Sequence, residues 1–134
     1  MTTANEPTRS LSIAIVDDET SVRVSLRRLC VALGMRATAH SSGRAFLDSL
    51  SDGPQPDCVL LDMHMPDMTG VDVQRQLVSR GRRLPVILVT ADDSPEAYAR
   101  GIDAGAVAYL RKPIGVEELL CAVHCATGTL HDAV

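Results

Sequence analysis

Polar side chains able to do chemistry stand at the ends of apolar stretches in this sequence. Each of them alone is typical of a turn or a helix cap. Together they supply a carboxylate nucleophile, further acids for a cation, a hydroxyl and a lysine, which are the groups that stabilise phosphoryl transfer. The spacing therefore favours phosphoryl chemistry on an aspartate, provided that the fold gathers these groups. They are residues 17–19 (DDE), Asp62, Thr90 and Lys112.

Three acids in this set, Asp17, Asp18 and Asp62, also predict a metal site. Two carboxylates about 4 Å apart repel each other by roughly 4 kcal/mol at an effective dielectric near 20, so a cluster of them needs a cation. Hard oxygen ligands with room for water suit Mg²⁺ better than a soft transition metal. We therefore expect Mg²⁺ beside the aspartate that acts as nucleophile.

Five short apolar runs, rich in β-branched residues, predict strands. The third and fourth runs (CVLL and PVILV) are continuously apolar, which is typical of parallel strands covered by helices on both faces. The predicted strands are residues 11–16, 35–40, 58–61, 85–90 and 108–110.

Helical spacing of apolar residues appears between these strands. In the first such segment Thr20 or Ser21 is the predicted N-cap, and Gly34 stands where the helix should stop. Strand and helix alternate five times, which predicts a doubly wound (βα)5 α/β sandwich with a parallel sheet. If the strand order is the flavodoxin-like 2-1-3-4-5, the first and third strands are neighbours, and the three acids converge in one shallow pocket.

Composition bounds the class of protein. A chain of 134 residues suits a single domain, and no apolar run approaches the roughly 18 residues of a membrane-spanning helix. The net charge of −4 includes no basic run, and aromatic residues are few, so we expect no nucleic-acid binding by this chain. The four cysteines are expected to be reduced thiols in a cytoplasmic protein.

Four motifs in order resemble the receiver domain of two-component response regulators over about residues 11–126. They are VDDE at 16–19, LLDMHMPDMTG at 60–70, VT at 89–90 and YLRKP at 109–113. The resemblance implies that a histidine kinase or a histidine phosphotransfer protein phosphorylates Asp62. It also implies that Thr90 and Lys112 contact the phosphoryl group and that the Lys112–Pro113 peptide is cis. The implied Mg²⁺ ligands are Asp17, Asp18, Asp62 and the backbone carbonyl of His64.

The resemblance also implies a switch. Phosphorylation would draw Thr90 inward, and Tyr109 would then turn from solvent toward the core. The face formed by the fourth helix, fifth strand and fifth helix would change its affinity for a downstream protein or for a second copy. His64 and Asp92 either influence the lifetime of the phosphoryl group or are solvated loop residues. Such a protein catalyses only its own phosphorylation and dephosphorylation and is no enzyme in the ordinary sense.

The predicted organisation is a flexible segment over residues 1–10, the receiver over 11–126 and a tail over 127–134. The short tail favours a single-domain regulator. The alternative is a receiver fragment of a longer DNA-binding regulator, since the segments LPVILVT and AGAVAYLRKP look most like receivers of nitrogen-fixation-type regulators.

Three other readings have weaker support. A flavodoxin-like cofactor binder would need a phosphate loop without the acids at 17–19. A phosphatase of the haloacid-dehalogenase type has its nucleophile in a DxD pattern after its first strand. A zinc cluster at Cys121, His124, Cys125 and His131 competes with the simpler view that these cysteines share one helix face.

Overall fold

The computed structural model describes residues 10–128, so the predicted segment 1–10 and the predicted tail 127–134 lie largely outside the described residues. Strands and helices alternate along the whole described chain, as the apolar runs predicted. The strands are β1 (Ser12–Val16), β2 (Arg36–His40), β3 (Cys58–Asp62), β4 (Val86–Thr90) and β5 (Ala108–Arg111). The helices are α1 (Thr20–Ala32), α2 (Gly43–Ser49), α3 (Gly70–Ser79), α4 (Pro95–Asp103) and α5 (Val116–Thr127).

The strands form one parallel sheet in the order β2-β1-β3-β4-β5. This is the predicted 2-1-3-4-5 order, so the flavodoxin-like doubly wound fold is confirmed. The register pairs Val16 with Leu61 and Asp62 with Val89, which aligns the carboxyl ends of β1, β3 and β4. The residues that follow these strands therefore meet at one edge of the sheet.

Two helical layers cover the sheet because successive side chains of a strand point to opposite faces. In β1, Ile13 and Ile15 pack with α1 and α5, whereas Ala14 and Val16 pack on the side of α2 and α3. The central strands β3 and β4 are buried along their whole length, which explains why their runs are continuously apolar.

The predicted start of α1 needs a correction. Neither Thr20 nor Ser21 is the N-cap: Glu19 occupies that position and makes no side-chain cap bond. Thr20 is already helical, and its hydroxyl accepts a hydrogen bond of 3.0 Å from the guanidinium of Arg23 instead of one from the backbone. The predicted stop is confirmed, since Gly34 has a φ of 85° just beyond the helix.

The four cysteines fall into two classes, all with free thiols. Cys30 and Cys58 are buried in the layer of α1 and the sheet, and burial raises the pKa of the Cys30 thiol to about 11 and that of the Cys58 thiol to about 12. Cys121 and Cys125 are exposed one turn apart on α5. The inner pair, Cys30 and Cys58, therefore acts as core residues, and the outer pair does not.

Candidate functional site

The three predicted acids meet at the carboxyl edge of the sheet. One carboxylate oxygen from each of Asp17, Asp18 and Asp62 lies within 4.8 Å of the others. Asp17 is 2% exposed and Asp62 is 5% exposed, whereas Asp18 faces solvent. We call this group, with Thr90 and Lys112, the acidic pocket. Its acids come from the ends of β1 and β3, which the sheet order makes neighbours.

Lys112 provides the positive charge of the acidic pocket. Its Nζ lies 2.9 Å from Asp17 Oδ2 and 3.5 Å from Asp62 Oδ1. Burial alone would lower the pKa of this ammonium, but its bonds and attraction to Asp17 and Asp62 outweigh burial and raise the pKa. The backbone N–H of Lys112 donates to the Thr90 carbonyl at 2.8 Å, which fixes the lysine at the end of β5. The Lys112–Pro113 peptide that follows is cis, as the resemblance implied.

Asp62 is the acid whose protonation is most perturbed. Burial and the nearby charge of Asp17 raise its pKa to about 6, although Lys112 and a hydrogen bond from the backbone N–H of His64 act in the opposite direction. That N–H lies 3.3 Å from Asp62 Oδ1. The carboxylate is thus held in place, yet its charge is only partly compensated by protein groups.

The backbone folds tightly behind Asp62. Gly70, the first residue of α3, donates its N–H to the Met63 carbonyl at 2.9 Å. A Cβ at this position would lie 2.8 Å from the Asp62 carbonyl oxygen, closer than carbon and oxygen tolerate. Glycine is therefore required for the chain to pass this close to the acidic pocket.

Asp92 links Thr90 to Tyr109. The buried Thr90 hydroxyl accepts a hydrogen bond of 3.0 Å from the Asp92 backbone N–H. The Tyr109 hydroxyl donates to the Asp92 carbonyl at 2.7 Å, and its ring packs edge-on against Tyr98 at 5.1 Å. Burial, with the charge of Asp92, raises the pKa of the Tyr109 phenol. The two predicted switch residues are thus bonded to the backbone of one residue, Asp92, with the Tyr109 side chain half-buried.

A contact that the sequence analysis did not foresee joins the loops that follow β3 and β4. His64 Nε2 and Asp92 Oδ2 are 2.9 Å apart, so these side chains are bonded to each other instead of being solvated separately. Ser94 also donates its backbone N–H to Asp92 Oδ1, and this bond is the largest cause of the lowered pKa of Asp92. The sheet order could have indicated this contact. Strands β3 and β4 are neighbours, and His64 and Asp92 each lie two positions beyond the end of one of them.

Arg23 is a second group that the sequence analysis missed. Its guanidinium donates to the Asp17 backbone carbonyl at 2.8 Å, while Asp17 Oδ1 accepts the N–H of Glu19 at 2.9 Å. These bonds fix the turn between β1 and α1. They hold Asp17 where Lys112 can reach it.

Within residues 10–128, the three aspartates are the one group of three or more histidine, cysteine or acidic side chains that could hold a metal ion. Cys121, His124 and Cys125 do not converge in that way, and His131 lies outside the described residues. The simpler view, that the cysteines share a helix face, is the one that the geometry supports. In the same range, none of the helices has the length and apolar character needed to cross a bilayer.

The family model of the response regulator receiver domain matches residues 13–124. This chain belongs to that family. Among curated proteins, the receiver is 44% identical over 108 residues to response regulator MprA of Mycolicibacterium vanbaalenii and 42% identical over 111 residues to response regulator MprA of Mycobacterium bovis. The first match covers 81% of this chain and 46% of the relative, and the second covers 83% and 48%. The chain thus spans about half the length of these curated relatives.

Solved structures agree with this assignment. The receiver matches the crystal structure of FixJ-N with a TM-score of 0.83 and 30% identity, covering 90% of this chain and 95% of that one. It matches a response regulator receiver protein from Burkholderia phymatum with a TM-score of 0.80 and 40% identity, covering 89% and 96%. The fold and the family are therefore those expected from the four motifs. The cofactor-binder and phosphatase readings are not favoured.

Proposed function

We propose that this receiver accepts a phosphoryl group on Asp62. The observation that carries the proposal is the position of the Asp62 carboxylate, 3.5 Å from the Lys112 ammonium and within reach of two further acids. In phosphoryl transfer, positioning and neutralisation of charge do most of the catalysis, and this pocket supplies both.

The donor of the proposed reaction is a phosphohistidine of a histidine kinase or a histidine phosphotransfer protein. A carboxylate oxygen of Asp62 attacks phosphorus, the P–N bond breaks, and its electron pair returns to the imidazole of the donor, which takes a proton. Asp62 must be ionised to attack, and a pKa of about 6 leaves it mostly ionised at neutral pH. Lys112 then faces the growing charge on the phosphoryl oxygens.

The donor set of the acidic pocket fits Mg²⁺. Three carboxylate oxygens from separate side chains converge, one of them on an exposed residue, which leaves room for water ligands. Asp17, Asp18, Asp62 and the backbone carbonyl of His64 are the proposed ligands. When bound, the ion would neutralise charge on the phosphoryl oxygens. Lys112 and the bond from Arg23 to the Asp17 carbonyl keep the pocket in place.

The proposed switch uses the backbone of Asp92. A phosphoryl group on Asp62 attracts the Thr90 hydroxyl as a donor, and this competes with its present bond to the Asp92 N–H. Because the same residue accepts the Tyr109 hydroxyl, a shift at Asp92 changes the face of α4, β5 and α5. The inward turn of Tyr109 from solvent stays a prediction, since the structure gives one position of the ring.

His64 and Asp92 are proposed to set the lifetime of the phosphoryl group. Their side chains are 2.9 Å apart, and their backbone N–H groups donate to Asp62 and to Thr90 of the acidic pocket. A small residue at either position would widen the approach of water. We therefore expect both side chains to influence hydrolysis.

Several wider features are also proposals. The face of α4, β5 and α5 is the proposed contact for a downstream protein or a second copy, with no nucleic acid bound by this chain and no substrate turned over beyond its own phosphorylation. Free thiols at all four described cysteines support action in the cytoplasm.

The test is incubation with Mg²⁺ and acetyl phosphate, followed by intact-mass measurement. Wild type should gain one phosphoryl group, and Asp62→Asn should gain none. Asp67→Asn is a matched control, because Asp67 is an exposed acid in the same loop. An adduct that persists in Asp62→Asn, or that never forms in wild type, would contradict the proposal.

A further inference from the structure

A buried amide lies where α3 meets α4. Gln74 of α3 is 3% exposed, while its neighbours across the contact are small or apolar. We define the α3–α4 seam as Val71 and Gln74 of α3 with Ala97 and Gly101 of α4. Four polar or charged residues are buried among residues 10–128, and the other three belong to the acidic pocket. Gln74 is thus the one buried polar side chain there that the proposed chemistry does not use.

The amide of Gln74 is only half paired. Its Nε2 donates to the Gly101 carbonyl at 3.3 Å, but its buried Oε1 has no hydrogen-bond donor among the described residues. Reversing the amide would turn Oε1 against the Gly101 oxygen, so the observed orientation is the better one. A buried acceptor without a partner costs more than one neutral hydrogen bond contributes. The amide therefore holds α4 less firmly than an apolar side chain of the same length would.

The seam also adjoins the acidic pocket. At Gly101 an added Cβ would lie 2.3 Å from Leu88 Cδ1 of β4 and 3.8 Å from Met63 Cε, so the α4 backbone rests on the sheet beside the residue that follows Asp62. Met63 packs with Val71 and Ala97, and Tyr109 contacts the same cluster. Met63, which follows β3, is therefore in direct contact with α4, so a shift of Met63 would act on this helix directly.

We infer that Gln74 is a positioning residue for α4, whose half-paired amide leaves this helix free to take a second arrangement. Any arrangement of α4 that supplies a donor to Oε1 recovers part of the free-energy cost of leaving the first arrangement. The amide thus reduces the free-energy difference between two positions of α4. An apolar residue at position 74 would favour the first position alone.

Hydrogen exchange of the full chain tests this inference without any phosphoryl donor. In Gln74→Met, amides of α4 (Pro95–Asp103) should exchange about tenfold more slowly than in wild type, because the local opening is disfavoured. Gln76→Met is the matched control, since Gln76 is exposed on the same helix and the change in helix propensity is the same. It should leave exchange in α4 unchanged. Unchanged or faster exchange in Gln74→Met would overturn the inference.

Wild type alone gives a second measurement, should Gln74→Met not fold. Amides of α4 should exchange at least about tenfold faster than those of α5, which packs through apolar residues on the other face of the sheet. Equal protection of the two helices would refute the role of Gln74.

A third measurement rests on the proposed function. Tyr98 and Tyr109 are the two tyrosines of the chain, and it has no tryptophan, so intrinsic fluorescence reports on their contact between α4 and β5. Beryllofluoride with Mg²⁺, a mimic of the phosphoryl group, should change the fluorescence of wild type at least twice as much as that of Gln74→Met. If wild type does not respond, the proposed switch fails, while the exchange result still decides the role of Gln74. An equal response in both proteins counts against Gln74.

Discussion

The acidic pocket and the α3–α4 seam both bury polar groups, but they differ in how those groups are paired. In the pocket, Lys112 bridges Asp17 and Asp62, and Thr90 accepts a backbone N–H. In the seam, one end of the Gln74 amide is bonded and the other is not. Pairing fixes the geometry that chemistry requires, whereas incomplete pairing allows a helix to move. The two regions meet at Met63, which lies directly between them in the chain and in space.

Removing the ammonium group of Lys112 should cause the largest change in the free energy of unfolding. Without divalent ions at pH 8, Lys112→Met is expected to lower the free energy of unfolding by about 3 kcal/mol, because it leaves buried carboxylates uncompensated. Urea denaturation with and without Mg²⁺ measures this, and Mg²⁺ should restore part of the loss. Arg111→Met is the control, since its ion pair with Asp93 is exposed and should contribute under about 1 kcal/mol. Equal losses in both variants would show that the pocket is not tightly paired.

Removing the charge of Asp62 should act in the opposite direction. Burial and the nearby charge of Asp17 raise the pKa of Asp62 from its ordinary value of 3.8 to about 6, so the ionised carboxylate destabilises the fold as pH rises through that interval. In EDTA at pH 7, Asp62→Asn should be about 2 to 3 kcal/mol more stable than wild type. Below about pH 3 the difference should vanish, because the carboxyl is then protonated in both folded and unfolded chains. Urea titrations across this pH range check the sign, and a constant difference would disprove the charge as its cause.

Filling the seam should destabilise it moderately. Gly101→Ala places a Cβ 2.3 Å from Cδ1 of Leu88, which is fully buried and cannot turn away. The strain outweighs the helix propensity gained, so we expect a net loss of about 1 to 2 kcal/mol in the free energy of unfolding. In a Leu88→Ala background the same change should be neutral or stabilising. A stabilising Gly101→Ala in the wild-type background would mean that the seam has spare room.

The smallest effect is expected at Tyr109, which packs against the cluster that contains Met63. Tyr109→Phe removes the donor to the Asp92 carbonyl and should lower the free energy of unfolding by about 1 kcal/mol or less, since the group is half-buried. Thermal unfolding measures it. Tyr98→Phe is the matched control, because that side chain is 51% exposed. If both variants are equally stable, the Tyr109 hydroxyl contributes nothing to folding, and its bond to Asp92 matters only for the switch.

The sequence predicted the fold well because its strongest pattern is a set of apolar runs followed by polar residues. The runs are the buried strands, and the polar residues lie at the edge of the sheet where those strands end. Once the sheet order was assumed, the meeting of Asp17, Asp18 and Asp62 followed from strand adjacency alone. The error at the start of α1 came from treating capping as a property of residue type. The Thr20 hydroxyl bonds Arg23 instead, and Glu19 takes the cap position without any side-chain bond.

Contacts between loops were harder to predict, because they depend on side-chain directions that spacing does not determine. The sequence did not predict the hydrogen bond between His64 and Asp92, although neighbouring strands bring these residues together. Gln74 went unnoticed even though it stands at helical spacing between Val71 and Leu77, both buried. A polar residue within the apolar stripe of α3 was the feature of the sequence that could have indicated a buried amide. Its missing partner required coordinates.

The division of the cysteines has a practical consequence. The thiols of Cys30 and Cys58 stay protonated at neutral pH and are enclosed by side chains, so alkylating dyes should not react with them. Cys121 and Cys125 on α5 are open to such reagents. A fluorophore can therefore be attached to α5 of the native protein. Association of another molecule with the proposed contact face of α4, β5 and α5 can then be followed without altering a single codon.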